Sequence, residues 1–482
     1  MPISPLSVAS SALPAPPLPT KSLSTPRLIH VGLAALALSL LLFWIAGTGV
    51  IIAAESGVRT IGRDTAPSVV AAQQIRAHLA NMDANAANAA LTRGAAATQA
   101  WADYQSEQAA LSDRLVAAAQ NITYGEAERQ PIVTIATRVQ AYADLIGQAR
   151  AVMAAADPRQ NTAPEAALAL IRQASGIMNG DLLVAADSLN AANERVLDQT
   201  WIERRDAFLR QTVGLVAAGL PAVAVLLVLQ SIISRRTRRR INPGLLAATM
   251  VMIVATLWSG FGAQSSASAL TSAKQDAFDS VRALWKARAI AYSANADESY
   301  FLLDPTRKRD YTDLFHKKMA SIVYANFDQP KPRQYFLDAI AEFERKGCRA
   351  QLPQFAFDGL LGDELRNVTF PRECEAAVSA YRRLSDYIAI DGRIRDLDAA
   401  GQRDAAIALN VGAKPGESNF AFDQFDQQLR QVIEINQTAF DGLIATATGR
   451  LLPLPWVIGG GCLLVGLLAG FGVRPRLNEY RS

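Results

Sequence analysis

Two apolar runs, 212–233 and 244–262, flank a segment at 234–243 that reads Ser-Arg-Arg-Thr-Arg-Arg-Arg-Ile-Asn-Pro. Each run holds about 20 residues without a charge, enough to cross a hydrocarbon core of roughly 30 Å as a helix. A short loop carrying Arg235, Arg236, Arg238, Arg239 and Arg240 stays on the cytoplasmic side, because moving such a loop across the membrane is disfavoured. The pattern predicts a transmembrane hairpin with its tip inside the cell. Everything else then hangs from this hairpin as two outward-facing halves.

Two further apolar runs complete the set. One covers 29–54 and follows Lys21 and Arg27; the other covers 451–473 and precedes a basic tail at 474–482. The first could also be read as a cleaved signal peptide, since polar residues follow Ala53-Ala54. It is longer than the usual apolar core of a signal, about 7–15 residues, which favours an uncleaved span. Segment 1–28, rich in Pro, Ser and Ala, reads as a disordered cytoplasmic tail. The expected order is a tail at 1–28, spans at 29–54, 212–233, 244–263 and 451–473, a cytoplasmic hairpin at 234–243, and a cytoplasmic tail at 474–482. Segments 55–211 and 264–450 lie outside, so the chain is a multi-pass plasma-membrane protein with both termini cytoplasmic.

The outer segments read as helix. Half of all residues are hydrophobic and only 7% aromatic, so the apolar content is mostly Ala, Leu, Val and Ile. Within 55–211 the pattern predicts helices at about 56–91, 95–121, 124–156 and 163–211, with Asp157-Pro158 as a helix stop. The fold class is therefore an all-α membrane protein, with four transmembrane helices and two extracytoplasmic antiparallel helical bundles.

The second half resembles a copy of the first. Ala80-Asn81-Met82-Asp83 matches Ala294-Asn295-Ala296-Asp297 at an offset of 214, and the same offset carries the start of span one onto the start of span three. Gln199-Thr200 matches Gln437-Thr438 at an offset of 238. The extra residues fit an insertion between Cys348 and Cys374, broken at Gly359-Leu360-Leu361-Gly362. These two cysteines lie where disulfides persist, so a bridge between them is expected. An inserted loop of this kind is also a natural place for a partner contact. Cys462 falls in an apolar run and reads as packing.

Most chemistry is absent from the sequence. There is no phosphate-cradling Gly loop, no HExxH and no Gly-x-Ser-x-Gly elbow. His30, His78 and His316 are scattered, the latter two reading as helix-surface residues, and no metal, cofactor or catalytic residue is expected. The membrane runs carry no Asp, Glu, Lys or Arg, which argues against a transporter. The basic residues sit at the hairpin and the C-terminus as a topology signal, so no nucleic-acid partner is expected. Gly466 and Gly470 form a small-xxx-small pair suited to close helix packing, or are merely two of the glycines common in spans.

The candidate ligand or partner surface is Asn295, Asp297 and Glu298 with Arg288, and in the first half Asn81 and Asp83. Arg288, Asn295 and Ser299 share one helix face. The competing reading makes these residues an ordinary solvated face. On the cytoplasmic side, Arg235 to Arg240 suit anionic lipid headgroups or a docking protein. The tail residues Arg476, Glu479, Tyr480 and Arg481 suit docking.

A helical bundle flanked by two spans resembles the sensor half of bacterial chemoreceptors and histidine kinases. The layout departs from these in having only the arginine loop after span two and residues 474–482 after span four. The doubled arrangement, with the tail Arg-Leu-Asn-Glu-Tyr-Arg, resembles the actinobacterial GlnX-type membrane sensor. That resemblance implies a relay of amino-acid status from a periplasmic solute-binding lipoprotein to a soluble Ser/Thr kinase, protein kinase G. It implies no particular binding residue. The expected function is a non-enzymatic transmembrane sensor, with a structural scaffold of the envelope as the alternative. The partners would be a lipoprotein outside, a kinase or other soluble protein inside, membrane lipids and, in some assemblies, a second copy of the chain.

Overall fold

A computed structural model describes residues 25–123, 125–156, 163–237, 241–323, 333–349 and 357–478. Among them the chain is helical, with no strand. In order, the helices are α1 (Thr25–Arg59), α2 (Ala66–Leu91), α3 (Ala95–Gln120), α4 (Glu126–Ala154), α5 (Glu165–Ile177), α6 (Leu183–Thr237), α7 (Pro243–Ser272) and α8 (Asp279–Leu303). There follow α9 (Lys308–Ile322), α10 (Arg333–Arg345), α11 (Leu360–Asn367), α12 (Glu373–Ala399), α13 (Arg403–Val411), α14 (Ser418–Leu451) and α15 (Leu454–Asn478). Four runs of continuous helix, Thr25–Leu91, Glu165–Arg235, Pro243–Leu303 and Ser418–Asn478, each contain a stretch apolar enough to cross a membrane. The first 24 residues of the expected tail, the Arg238–Arg240 part of the hairpin, and Glu479, Tyr480 and Arg481 lie outside the described residues. Residues 25–28 open α1.

The chain forms two compact units. One comprises residues 1–48, 213–260 and 455–482 and is the apolar bundle. Leu38, Trp44, Val213, Leu257 and Trp456 point outward from it. Bare apolar surface of that extent suits lipid rather than water. Small residues set its contacts. Gly32 lies under Leu229, Gly47 under Ile458 and Gly219 under Thr256. Backbone meets backbone between α7 and α15, where a Cβ added at Gly244 would come within 2.7 Å of Gly472 Cα. Asn242 fixes this contact from the loop. Its side-chain oxygen accepts from the amides of Gly244 and Leu245 at 3.1 and 3.3 Å, capping α7. Its side-chain nitrogen donates to Gly472 O at 2.7 Å. Gly466 and Gly470, by contrast, meet nothing that an added Cβ would touch. The tight helix contact of this bundle thus uses Gly244 and Gly472 instead.

The second unit, residues 49–212 and 261–454, is the helical body and holds both expected outer segments in one compact unit. Its organisation follows from two faces of α2. Ile75, Leu79, Met82 and Ala86 enter a core with Tyr104, Leu111, Ile135 and Tyr142 of α3 and α4. Ala80, Ala84 and Ala87 enter the core of the second half, built around α8, α9, α12 and α14. The opposing stretch of α8 is equally rich in alanine, including Ala287, Ala291 and Ala294. Small side chains on both partners let the two helices lie close along their length.

The halves repeat local devices. A π-helical turn precedes α2 at Thr60–Thr65 and another precedes α8 at Ala273–Phe278. Asn121-Ile122-Thr123 and Asn367-Val368-Thr369 make the same turn, in which the Thr hydroxyl donates to the Asn carbonyl at 3.1 and 2.8 Å. Glu128 and Glu373 then accept from the amides of Thr123 and Thr369 at 2.8 and 2.6 Å.

The expected disulfide joins Cys348 to Cys374, with Cα atoms 5.9 Å apart. The glycine pair inside the bridged segment marks a helix start rather than a break. Gly359, at φ +99°, opens α11, and a Cβ there would meet the backbone of Ile322 at 2.8 Å. Asn367, at the end of α11, donates to Asp276 O and Ser280 Oγ at 2.9 Å, tying the inserted helix to the base of α8.

Gly244→Val should cost about 1–3 kcal/mol through overpacking, whereas Gly466→Val should stay within about 0.5 kcal/mol. Denaturant midpoints of the purified protein in micelles compare them. Removing the Cys348–Cys374 bridge, which closes 25 intervening residues, should cost about 3 kcal/mol. Wild type with and without reductant, beside Cys348→Ser, reads that loss.

Candidate functional site on the central helix

All thirteen residues of α8 from Ala291 to Leu303 are buried. A helix enclosed on every side must find partners for its polar side chains, since an unpaired buried polar group costs about 1–3 kcal/mol. The sequence-predicted residues lie on this helix and on α2, and none of the α8 set forms a solvated face. Together they tie α8 to α9, α12 and α14.

Arg288 holds Asp426 of α14 through two hydrogen bonds of 2.6 and 3.1 Å, with its guanidinium also over the Trp285 and Tyr292 rings. Asn295 donates to Tyr387 of α12 at 3.3 Å. Asp297 pairs with Lys318 of α9 at 2.6 Å, and Lys318 also donates to Ser293 O at 3.1 Å. Glu298 accepts from Tyr387 at 3.0 Å and from Ser418 of α14 at 2.9 Å. Ser299 Oγ lies 2.7 Å from Asn88 Oδ1 and 3.2 Å from Asn410 Oδ1, so its single proton can serve only one of them at a time. Asn88 belongs to α2, so this contact joins the halves.

A second polar link between halves is Asp83. Its Oδ1 accepts from Tyr142 of α4 and from Tyr300 of α8, both at 2.8 Å. One carboxylate of the first half thereby binds one tyrosine from each half. Asn81, two residues before Asp83, is half-buried and accepts from Asn85 at 3.1 Å. His78 is also half-buried and lies 2.6 Å from Glu107. Arg476 and the backbone of Arg235 and Arg236 belong to the ends of α15 and α6, in the other unit.

Electrostatics follow from burial. Desolvation raises the Asp83 carboxyl above its ordinary value, against the hydrogen bonds from Tyr300 and Tyr142 and the charge of Lys318. Asp297 is pushed up to about 6 by burial, with Lys318 opposing. Glu298 is raised by burial and by the nearby Asp391, against the bonds from Ser418 and Tyr387. Asp391, itself raised by burial, is clamped by Arg395 through two bonds of 2.8 Å.

Sequence reasoning missed Tyr142, Tyr300, Tyr387, Lys318 and Ser418. A signal for two of them was present. Tyr142 follows Glu128 by fourteen residues, and Tyr387 follows Glu373 by the same fourteen. Four helical turns after the repeated Asn-x-Thr turn, each tyrosine reaches a carboxylate of the helix beside it.

Residues 57–201 match the family model of the actinobacterial sensor domain. The matched segment contains α2 to α5 and so carries Asp83, Tyr104 and Tyr142. No curated protein and no solved structure matches the chain. The sensor-domain match supports a sensing role, and the geometry shows what that segment is fastened to: it holds the central helix of the second half through Asp83, Asn88 and the alanine face of α2.

Raised carboxyl groups set the direction of a pH response. A group whose folded value exceeds its unfolded one binds more protons when folded, so stability falls as pH rises between the two values. For Asp297 that window runs from about 4 to about 6. The melting midpoint of the wild type should therefore rise as pH drops from 7 toward 5. Asp297→Asn should flatten that slope, with a change on the order of 2–3 kcal/mol across the window. Thermal melts at four or five pH values measure both, and an unchanged slope in the variant would refute the assignment.

Proposed function

We propose that this chain is a non-enzymatic transmembrane sensor that relays an extracytoplasmic solute or amino-acid signal, delivered by a solute-binding lipoprotein, to a soluble cytoplasmic Ser/Thr kinase. The observation that carries the reading is the sensor-domain match over residues 57–201, in a segment whose α2 lies along the buried α8. The orientation proposed places the arginine loop and both termini in the cytoplasm, on the charge bias of 234–243 and 474–482.

A relay needs two arrangements separated by a few kcal/mol, and a ligand that contacts them differently. The polar contacts around α8 suit such an element. Ser299 has two acceptors for one proton, and Asp83 serves two tyrosines from different halves. A small rotation or slide of α2 against α8 would exchange these bonds instead of breaking them outright. The continuous helix Pro243–Leu303 would then carry the shift from α8 into the span that follows the arginine loop.

In-cell cross-linking of the tagged protein, with and without amino-acid supplementation, tests the relay by identifying its partners. Recovery of a solute-binding lipoprotein and a Ser/Thr kinase, in amounts that change with the supplement, is the expected result. Envelope or division proteins alone, unchanged by nutrients, would replace the relay with a structural scaffold.

A further inference from the structure

A cavity of about 660 Å³ opens in the helical body where α2 ends and α3 begins, separate from the contacts around Asp83. Its volume falls within the range of about 300–1,000 Å³ typical of small-molecule sites. The walls are apolar, with Leu91, Ile146, Met153 and Ile171 among many alanines. Three arginines line it, Arg93, Arg150 and Arg403, against one lining carboxylate, Asp404. Arg403 also pairs with Asp398 and donates to Leu302 O, so the lining combines an apolar wall with the cationic groups of Arg93 and Arg150.

Geometry sharpens this charge. The Arg150 guanidinium sits 4.2 Å above the Trp101 ring, and Trp101 stacks on Tyr104 at 4.7 Å. A guanidinium over an indole ring can still direct N–H groups to an anion. Arg403 Nε is buried with no acceptor among the described residues. Three helices also begin at the cavity. Ala96, Ala97 and Thr98 of α3 line it, as do Pro164 before α5 and Arg403 and Asp404 at the start of α13. No side chain caps α3, whose preceding residue Gly94 stands at φ +64°. The first-turn amides of a helix point outward and attract negative charge.

We propose that this cavity binds a small organic anion, a carboxylate carried on an apolar body. The carboxylate would sit among Arg93, Arg150 and the start of α3, and the body would lie against Trp101 and the alanine-lined wall. This deepens the sensing reading and rests on it for its biological use, since it names what the sensor half can take up directly. Occupancy would reach the central helix over a short path. Leu303 closes the cavity from the end of α8, and Arg172 of α5 holds Asp304 through bonds of 2.7 and 2.9 Å just beyond it.

The test uses the full-length chain in lipid nanodiscs and isothermal titration with 3-phenylpropionate as probe. Its neutral amide and inorganic sulfate are titrated separately. Saturable binding with a Kd below about 1 mM is expected, with the amide and sulfate each at least about tenfold weaker. Arg150→Gln and Arg93→Gln should each weaken the probe about tenfold, while Arg150→Lys should lose less. Melting curves confirm that each variant is folded, and Arg150, exposed on α4, is the safest of these positions. No saturable heat up to about 10 mM probe overturns the proposal. So does binding of the amide or of sulfate with equal affinity, or indifference to both glutamine substitutions. Probe binding without recovered partners would leave the cavity standing and remove the relay; partners recovered without probe binding would do the reverse.

Discussion

The rest of the helical body depends on one constraint, that α8 from Ala291 to Leu303 is buried on every side while carrying Asn295, Asp297, Glu298 and Ser299. Burial of this kind is tolerable only when polar side chains find partners, and here four surrounding helices supply them. α9 supplies Lys318, α12 supplies Tyr387, α14 supplies Ser418 and α2 supplies Asn88. The polar contacts therefore fix the order of helices around α8, while the alanines set how near they can come. A purely apolar α8 could be packed in several registers; one with four directional contacts has far fewer choices.

The same devices appear twice. Each half enters its leading helix through a π-helical turn, makes an Asn-x-Thr turn closed by a glutamate, and sends a tyrosine back to a buried carboxylate. The copies have diverged where they face each other. In the first half the carboxylate is Asp83, and it also takes a bond from Tyr300 of the second half. The sensor-domain segment is thus bonded to the helix whose backbone leads into a span. That arrangement is what a sensing protein requires of its structure, whichever molecule supplies the signal.

Much of this was legible in the sequence, and the reasons are physical. Long charge-free runs and an arginine-rich loop are strong signals because the bilayer penalises exceptions, and four candidate spans are present. The cysteine pair was readable from its setting. Asn295, Asp297 and Glu298 stood out as a polar cluster on α8, yet their burial did not. Helical periodicity cannot distinguish a solvated stripe from a helix walled in by partners far away in sequence. Lys318 and Ser418 become partners only through the tertiary fold. Gly466 and Gly470 matched a packing pattern, but the close contact fell to Gly472 because Asn242 holds α15 there.

The enclosure of α8 has a consequence for how the molecule can be observed. Amides on a helix with no face toward water exchange with solvent only when the surrounding helices part, so their exchange reports opening of the whole body rather than local fraying. The amides of α3, which has only Tyr104, Leu111 and Leu115 buried, will exchange through much smaller fluctuations. Deuterium uptake along the chain would thus contain its own internal scale, with α8 as the slow limit and α3 as the fast one. A spectroscopic label placed on the outer side of α3 would leave the polar contacts of α8 untouched.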